Sequence, residues 1–129
     1  MNIRTRLGLL LSFAALLGAR PAAAQSSAAV TPAAIAKGDT IFHTKGNCYA
    51  CHGAKAEGAA VGPNLTDAEW VHSDGSYDAI VKQVVAGVTK EQAKSGIPMP
   101  AKGGATIADD EVNAVAAYVY SLSHKKPGS

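Results

Sequence analysis

Three stretches of the chain carry apolar residues at three- to four-residue spacing, the period of a helix with one buried face. No segment alternates with period two for long enough to predict a strand. In the first stretch, Thr31 reads as an N-cap with Pro32 at the first helical position. Ile35, Gly38, Ile41 and Phe42 then mark an apolar face with a notch at the glycine, and the helix should stop near Lys45-Gly46. The second, "YDAIVKQVVAGV", places Ile80, Val81, Val84 and Val85 on one face and ends at Gly87. The third, "DDEVNAVAAYVYSLSH", opens on acids that suit the positive end of a helix dipole. It continues with a stripe of Val112, Val115, Val119 and Leu122, behind a cap at Ala108 or Asp109. Thr66-Asp67-Ala68-Glu69 has the form of a capping box and predicts a further, short helix carrying Trp70.

The connections are generous. Cys51 to Leu65 is rich in glycine and alanine and reads as loop. Thr89 to Ala105 is a polar, proline- and glycine-marked loop, long enough to suggest a function. The expected fold class is all-α, with about four helices. So few helices do not close a core on themselves, so something else should fill the middle.

The amino terminus changes the picture of size and charge. Arg4 and Arg6 precede an uncharged apolar run, Leu7 to Leu17, and small residues follow with Ala22 and Ala24 in A-x-A positions. That is the layout of a secretory signal peptide over residues 1–24, cut between Ala24 and Gln25. The run falls short of the ~20 residues that span a bilayer. Residues 25–31 then read as a flexible lead-in, 32–123 as one domain and 124–129 as a solvated tail. Cleavage removes all three arginines and leaves nine lysines against ten acids, moving the formal charge from +2 to −1. No strong field therefore points to nucleic acid or a membrane surface as partner.

The chemistry centres on "CYACH", which holds both cysteines of the chain, Cys48 and Cys51, followed by His52. C-x-x-C-H is the attachment signature of heme c. Thiols one helical turn apart can form thioethers to two neighbouring vinyl groups, and the next histidine is carried under the iron. A thioredoxin-like site calls for a strand-then-helix setting that is missing here. A structural zinc site calls for a second ligand pair, which His43 and His72 do not supply convincingly. Beyond the signal segment Met99 is the one methionine, and it lies between Pro98 and Pro100 in the long loop. An isolated methionine usually fills a core gap on a helix face. Stiffly held in a loop, Met99 is the candidate axial ligand opposite His52. His43, His72 and His124 read as surface histidines by default.

With these residues in view, the chain resembles the class I cytochromes c, especially the compact single-heme bacterial ones. The resemblance rests on G-x-x-x-F at Gly38 and Phe42, "CYACH", "GPNL", the methionine loop and "AAYVYSL", and it covers roughly Pro32 to Ser123. It implies an all-α cytochrome c fold wrapped round one covalent heme c, with the first and last helices crossing at Gly38, Phe42 and Tyr118. It further implies that the Pro63 carbonyl accepts from the free ring N–H of His52, and that Leu65 and Trp70 line the pocket. Trp70 is expected either to reach a heme propionate or simply to pack.

Ligation by His52 and Met99 leaves the iron no open position, so the expected role is a periplasmic one-electron carrier and not an enzyme. It would be a monomer that exchanges electrons with redox protein partners, such as a terminal oxidase or a dehydrogenase, without inserting in the membrane after cleavage. Two alternatives stay open: a heme c enzyme or gas sensor with a vacant or labile sixth site, and an anchored subunit of an oxidase or dehydrogenase complex. Lys45, Lys55, Lys90, Lys94 and Lys102 flank the ligand segments and read as a docking rim or, more plainly, as solvated loop lysines diluted by Glu57 and Glu91.

Overall fold

In the computed structural model of the protein, residues 29–125 are described. The proposed signal segment, the first part of the lead-in and the end of the tail lie outside the described residues. Four α-helices occur among them: α1 (Pro32–His43), α2 (Tyr49–His52), α3 (Tyr77–Ala86) and α4 (Asp109–Ser123). A short 3-10 turn, Ala101–Gly104, precedes α4. No strand forms among the described residues; one isolated antiparallel bridge joins Val88 and Met99.

Thr31 caps α1 as its sequence predicts, its hydroxyl accepting from the Ala34 N–H at 3.1 Å. α1 ends two residues earlier than expected, at His43, because Ile41 O accepts from both Thr44 N–H and Gly46 N–H as the chain turns. α1 then crosses α4 at very close range. A Cβ at Gly38 would overlap the carbonyl oxygen of Ala114, so the notch in the apolar face is where the two backbones meet. Phe42, 1% exposed, sets its ring edge-on to Tyr118 at 5.4 Å. Val112, Val115 and Val119 of α4 are buried as predicted, with Ala114, Ala116 and Ala117 letting the neighbours approach.

Two expectations are corrected. Thr66 to Glu69 is a set of bends and not a helix. Asn64 Oδ1 accepts from both the N–H and the hydroxyl of Thr66, and Asp67 Oδ1 accepts from Glu69 N–H. These local side-chain bonds engage the amide hydrogens a first helical turn would use. The short helix lies at the cysteine motif instead. On α3, Ile80 and Val84 are buried with Tyr77, but Val85 is 47% exposed and falls on the solvent side.

The N-cap of α4 is Ala108, whose methyl cannot accept a hydrogen bond. Glu111 compensates by accepting from the Ala108 N–H at 2.8 Å, half of a capping box. The helices enclose the face of a cavity of about 360 Å³ that reaches from α2 to the methionine loop.

Candidate functional site

α2 is a single turn, and it holds Cys48 at its N-cap, with Cys51 and His52 in its last positions. No disulfide joins the two cysteines; Cys51 is exposed and Cys48 half-buried, and burial would push an unattached Cys48 thiol up from its ordinary pKa. His52 is 8% exposed, and burial pushes its imidazole down, with the Pro63 carbonyl opposing in part. Its Nδ1 lies 3.0 Å from the Pro63 carbonyl oxygen. A carbonyl only accepts, so Nδ1 carries the hydrogen and Nε2 keeps its lone pair. This bond fixes the ring's tautomer and orientation, as an outer partner does for a metal-ligating histidine.

Met99 lines the same cavity from the long loop. Val88 N–H donates to Met99 O at 2.8 Å and Met99 N–H donates to Val88 O at 3.0 Å, so the methionine backbone is tied to the end of α3 in both directions. The chain passes so close that a Cβ at Gly87 would overlap the Met99 carbonyl oxygen. Met99 is half-buried and packs against the core.

All seven residues singled out in the sequence line the same cavity: Cys48, Cys51, His52, Pro63, Leu65, Trp70 and Met99. Phe42, Ile80, Val84, Val115 and Val119 complete an apolar wall. The volume falls within the ~300–1,000 Å³ usual for cofactor sites. An apolar slot with an oriented imidazole, a thioether and two thiols one turn apart fits a heme c. Trp70 Nε1 has no hydrogen-bond partner among the described residues, and its ring packs so tightly on Gly75 that a Cβ there would overlap it.

The remaining histidines separate clearly. His72 is exposed at the cavity lining, and His124 stacks on Tyr120 with ring centroids 3.9 Å apart. His43 is held between α1 and the segment after α2, away from the cavity lining. Two of the five flanking lysines are engaged inside the molecule. Lys45 pairs with Glu111 at 2.8 Å, and Lys102 donates to Ile107 O and pairs with Asp109 at 3.1 Å. That weakens a free basic rim. The clamp of Val88 on Met99 was not foreseen in the sequence; Gly87 was read as a helix stop, and that it also admits the methionine loop is a tertiary fact.

Comparison with known proteins gives the family. The cytochrome c family model matches residues 35–123, and the chain belongs to the cytochrome c family. It therefore carries one heme c, bound covalently through Cys48 and Cys51. The cbb3-type cytochrome c oxidase subunit CcoP of Rubrivivax gelatinosus is 38% identical over 92 residues, 71% of this chain and 27% of that protein. The cbb3-type cytochrome c oxidase subunit FixP of Bradyrhizobium sp. (strain ORS 278) is 39% identical over 95 residues, 68% of this chain and 30% of that one. The chain thus spans less than a third of the length of these two relatives. The crystal structure of cytochrome CL from Methylophaga aminisulfidivorans MPT aligns with a TM-score of 0.58 at 24% identity, over 89% of this chain and 74% of that one, a likeness of fold.

Proposed function

We propose that the protein is a one-electron carrier with His52 and Met99 as the axial ligands of its heme. The observation that carries this reading is that His52 and Met99, from two separate segments of the chain, both line one apolar cavity. The bound heme supplies a one-electron iron couple. His52 offers Nε2 because Pro63 holds Nδ1–H, and the Val88 pairing holds the Met99 backbone. The apolar wall from Phe42 to Val119, with a thioether ligand, would favour the less charged ferrous state. Leu65 would contribute apolar surface to the heme, and Trp70 would pack beside it or offer its indole N–H to a propionate. Electron transfer, and not catalysis, is the role this arrangement suits, with protein electron donors and acceptors as partners.

Residues 1–24 fit a signal peptide that delivers a monomeric carrier to the periplasm. Among the described residues no helix is long and apolar enough to cross a membrane. A second reading is favoured by the relatives, which are subunits of cbb3-type oxidases: the chain serves as an anchored electron-transfer subunit, with the N-terminal segment retained. N-terminal sequencing of the exported protein separates the two, since a start at Gln25 excludes the anchor.

The carrier reading is tested by absorption spectra of oxidised and reduced protein with carbon monoxide. The expected result is a c-type reduced spectrum, a weak far-red sulfur-to-iron band when oxidised, and no response to carbon monoxide. In Met99→Ala that band should vanish and carbon monoxide should bind. Ready binding to the wild type would overturn axial Met99 and move the function to catalysis or sensing.

A further inference from the structure

We propose that His43 is a positioning residue for the heme-attachment helix, and that its proton couples solution pH to the reduction potential of the heme. The inference rests on the electron-carrier reading and extends it to a residue outside the cavity lining.

Both ring nitrogens of His43 face acceptors. Nδ1 lies 2.9 Å from the Asp39 carbonyl oxygen and 2.9 Å from the Asp39 carboxylate. Nε2 lies 2.7 Å from the Ala54 carbonyl oxygen. A carbonyl oxygen has no hydrogen to give, so both contacts are hydrogen bonds only when both nitrogens are protonated. A neutral ring donates once and turns a lone pair toward the other acceptor. The geometry is therefore built for the imidazolium. The Ala54 carbonyl first, and then Asp39, push the His43 pKa above the ordinary histidine value, partial burial opposing.

What the imidazolium holds is the exit of the heme motif. Ala54 follows His52 by two residues, in the turn where Gly53 N–H closes α2 onto Tyr49 O. The His43 ring is also wedged between other rings: Phe42 at 5.0 Å, Tyr49 of α2 stacked at 6.1 Å and Tyr118 of α4 edge-on at 6.1 Å. Phe42 in turn lines the cavity, so one ring separates the charge from the cavity itself. The titratable groups facing His43 are Asp39 on its own helix, Tyr49 on α2 and Tyr118 on α4. Phenols ordinarily titrate near 10, and burial pushes Tyr118 higher still. Asp39 is the one carboxylate among them, 2.9 Å from His43 Nδ1.

The sign follows from charge. A cation behind an apolar wall disfavours the extra positive charge of ferric iron, so protonated His43 raises the potential. As pH rises through the His43 pKa the charge is lost and the potential falls, levelling once the ring is neutral. By linkage the reduced protein holds this proton more tightly than the oxidised protein. Within that window, reduction takes one electron from the donor and a fraction of a proton from solvent onto His43.

The test is a redox titration of the holoprotein from about pH 5 to pH 9, beside proton NMR titration of the His43 ring in both oxidation states. The expected wild-type potential falls across a window above the ordinary histidine value, and the ring pKa is higher in the reduced protein. His43→Gln, which keeps an amide donor but no titrating charge, should lose that phase. Asp39→Asn, which keeps the helix and removes the facing carboxylate, should move the window to lower pH. If His43→Gln fails to fold, the wild-type and Asp39→Asn titrations still decide the matter. Superimposable wild-type and His43→Gln profiles, or a His43 pKa equal in the two oxidation states, would overturn the proposal. Carbon monoxide binding by the wild type would overturn the carrier reading instead, independently of the measured pKa difference.

Discussion

Gly87 shows how one residue serves two elements. It ends α3 with φ 72°, a conformation that side chains other than glycine adopt reluctantly. The same missing Cβ lets the Met99 carbonyl pass and receive the Val88 N–H. Gly87→Ala should therefore push the methionine loop outward. The expected protein keeps a covalent heme but loses the far-red band and gains carbon monoxide binding, read by the same spectra that test Met99. Unaltered spectra would show that the loop is held by its prolines and not by this contact. Met99 itself was legible as a candidate ligand because it stands apart from any helical stripe. Its clamp was not, since the pairing of residue 88 with residue 99 leaves no periodic trace.

The α1–α4 crossing and the acidic turn of α4 carry the element-scale predictions. Phe42→Ala removes a side chain that is 1% exposed and should cost about 3–5 kcal/mol. Gly38→Ala sets a methyl against the Ala114 carbonyl and should cost about 1–3 kcal/mol by overpacking. Chemical denaturation of the holoprotein measures both. Three successive acids at the start of α4 each hold a lysine from a different segment: Asp109 holds Lys102, Asp110 holds Lys37 and Glu111 holds Lys45. The lysine hydrogen bonds, foremost, push the Asp110 and Glu111 carboxyls below their ordinary values. A depressed folded pKa means stability that is full above the unfolded value and is lost as pH falls through the folded one. Thermal midpoints should thus be level down to about pH 5 and decline below about pH 4. Asp110→Asn with Glu111→Gln should flatten part of that decline, and an unchanged decline would assign it to other carboxylates. The acids were visible in the sequence as a favourable helix start; that they gather α1, the motif turn and the methionine loop was not.

At the scale of the whole molecule, the cavity explains why so few helices suffice. A chain to which no heme has been attached must leave some 360 Å³ unsupported. At ~24 cal/mol per Å³ that approaches about 9 kcal/mol as an upper bound, because the cavity opens to water. Small domains have only about 5–15 kcal/mol in all. Cys48→Ser with Cys51→Ser, produced without attached heme, should accordingly lose most of its far-UV helical signal and its cooperative melting. A cooperative transition in that variant would show that the helices pack without the cofactor. The three lysine pairs add little by comparison, since each has at least one exposed partner.

The sequence by itself determined the helical stripes of α1, α3 and α4, the attachment motif and the candidate ligands, because period and motif spacing are local properties. It misplaced the short helix, since Asn64 and Asp67 close turns on the amides that a helix at Thr66 needs. It set Val85 with the buried face of α3, because periodicity fixes a stripe but not how wide a neighbour will cover it. The bond from His52 to Pro63 was expected through the family resemblance and not from any period in the chain, and only the tertiary structure brought Val88 to Met99 and His43 to Ala54. Each is a bond to a backbone carbonyl or amide, groups that every residue type carries, so their positions depend on where the chain returns in space and not on which side chain is written there.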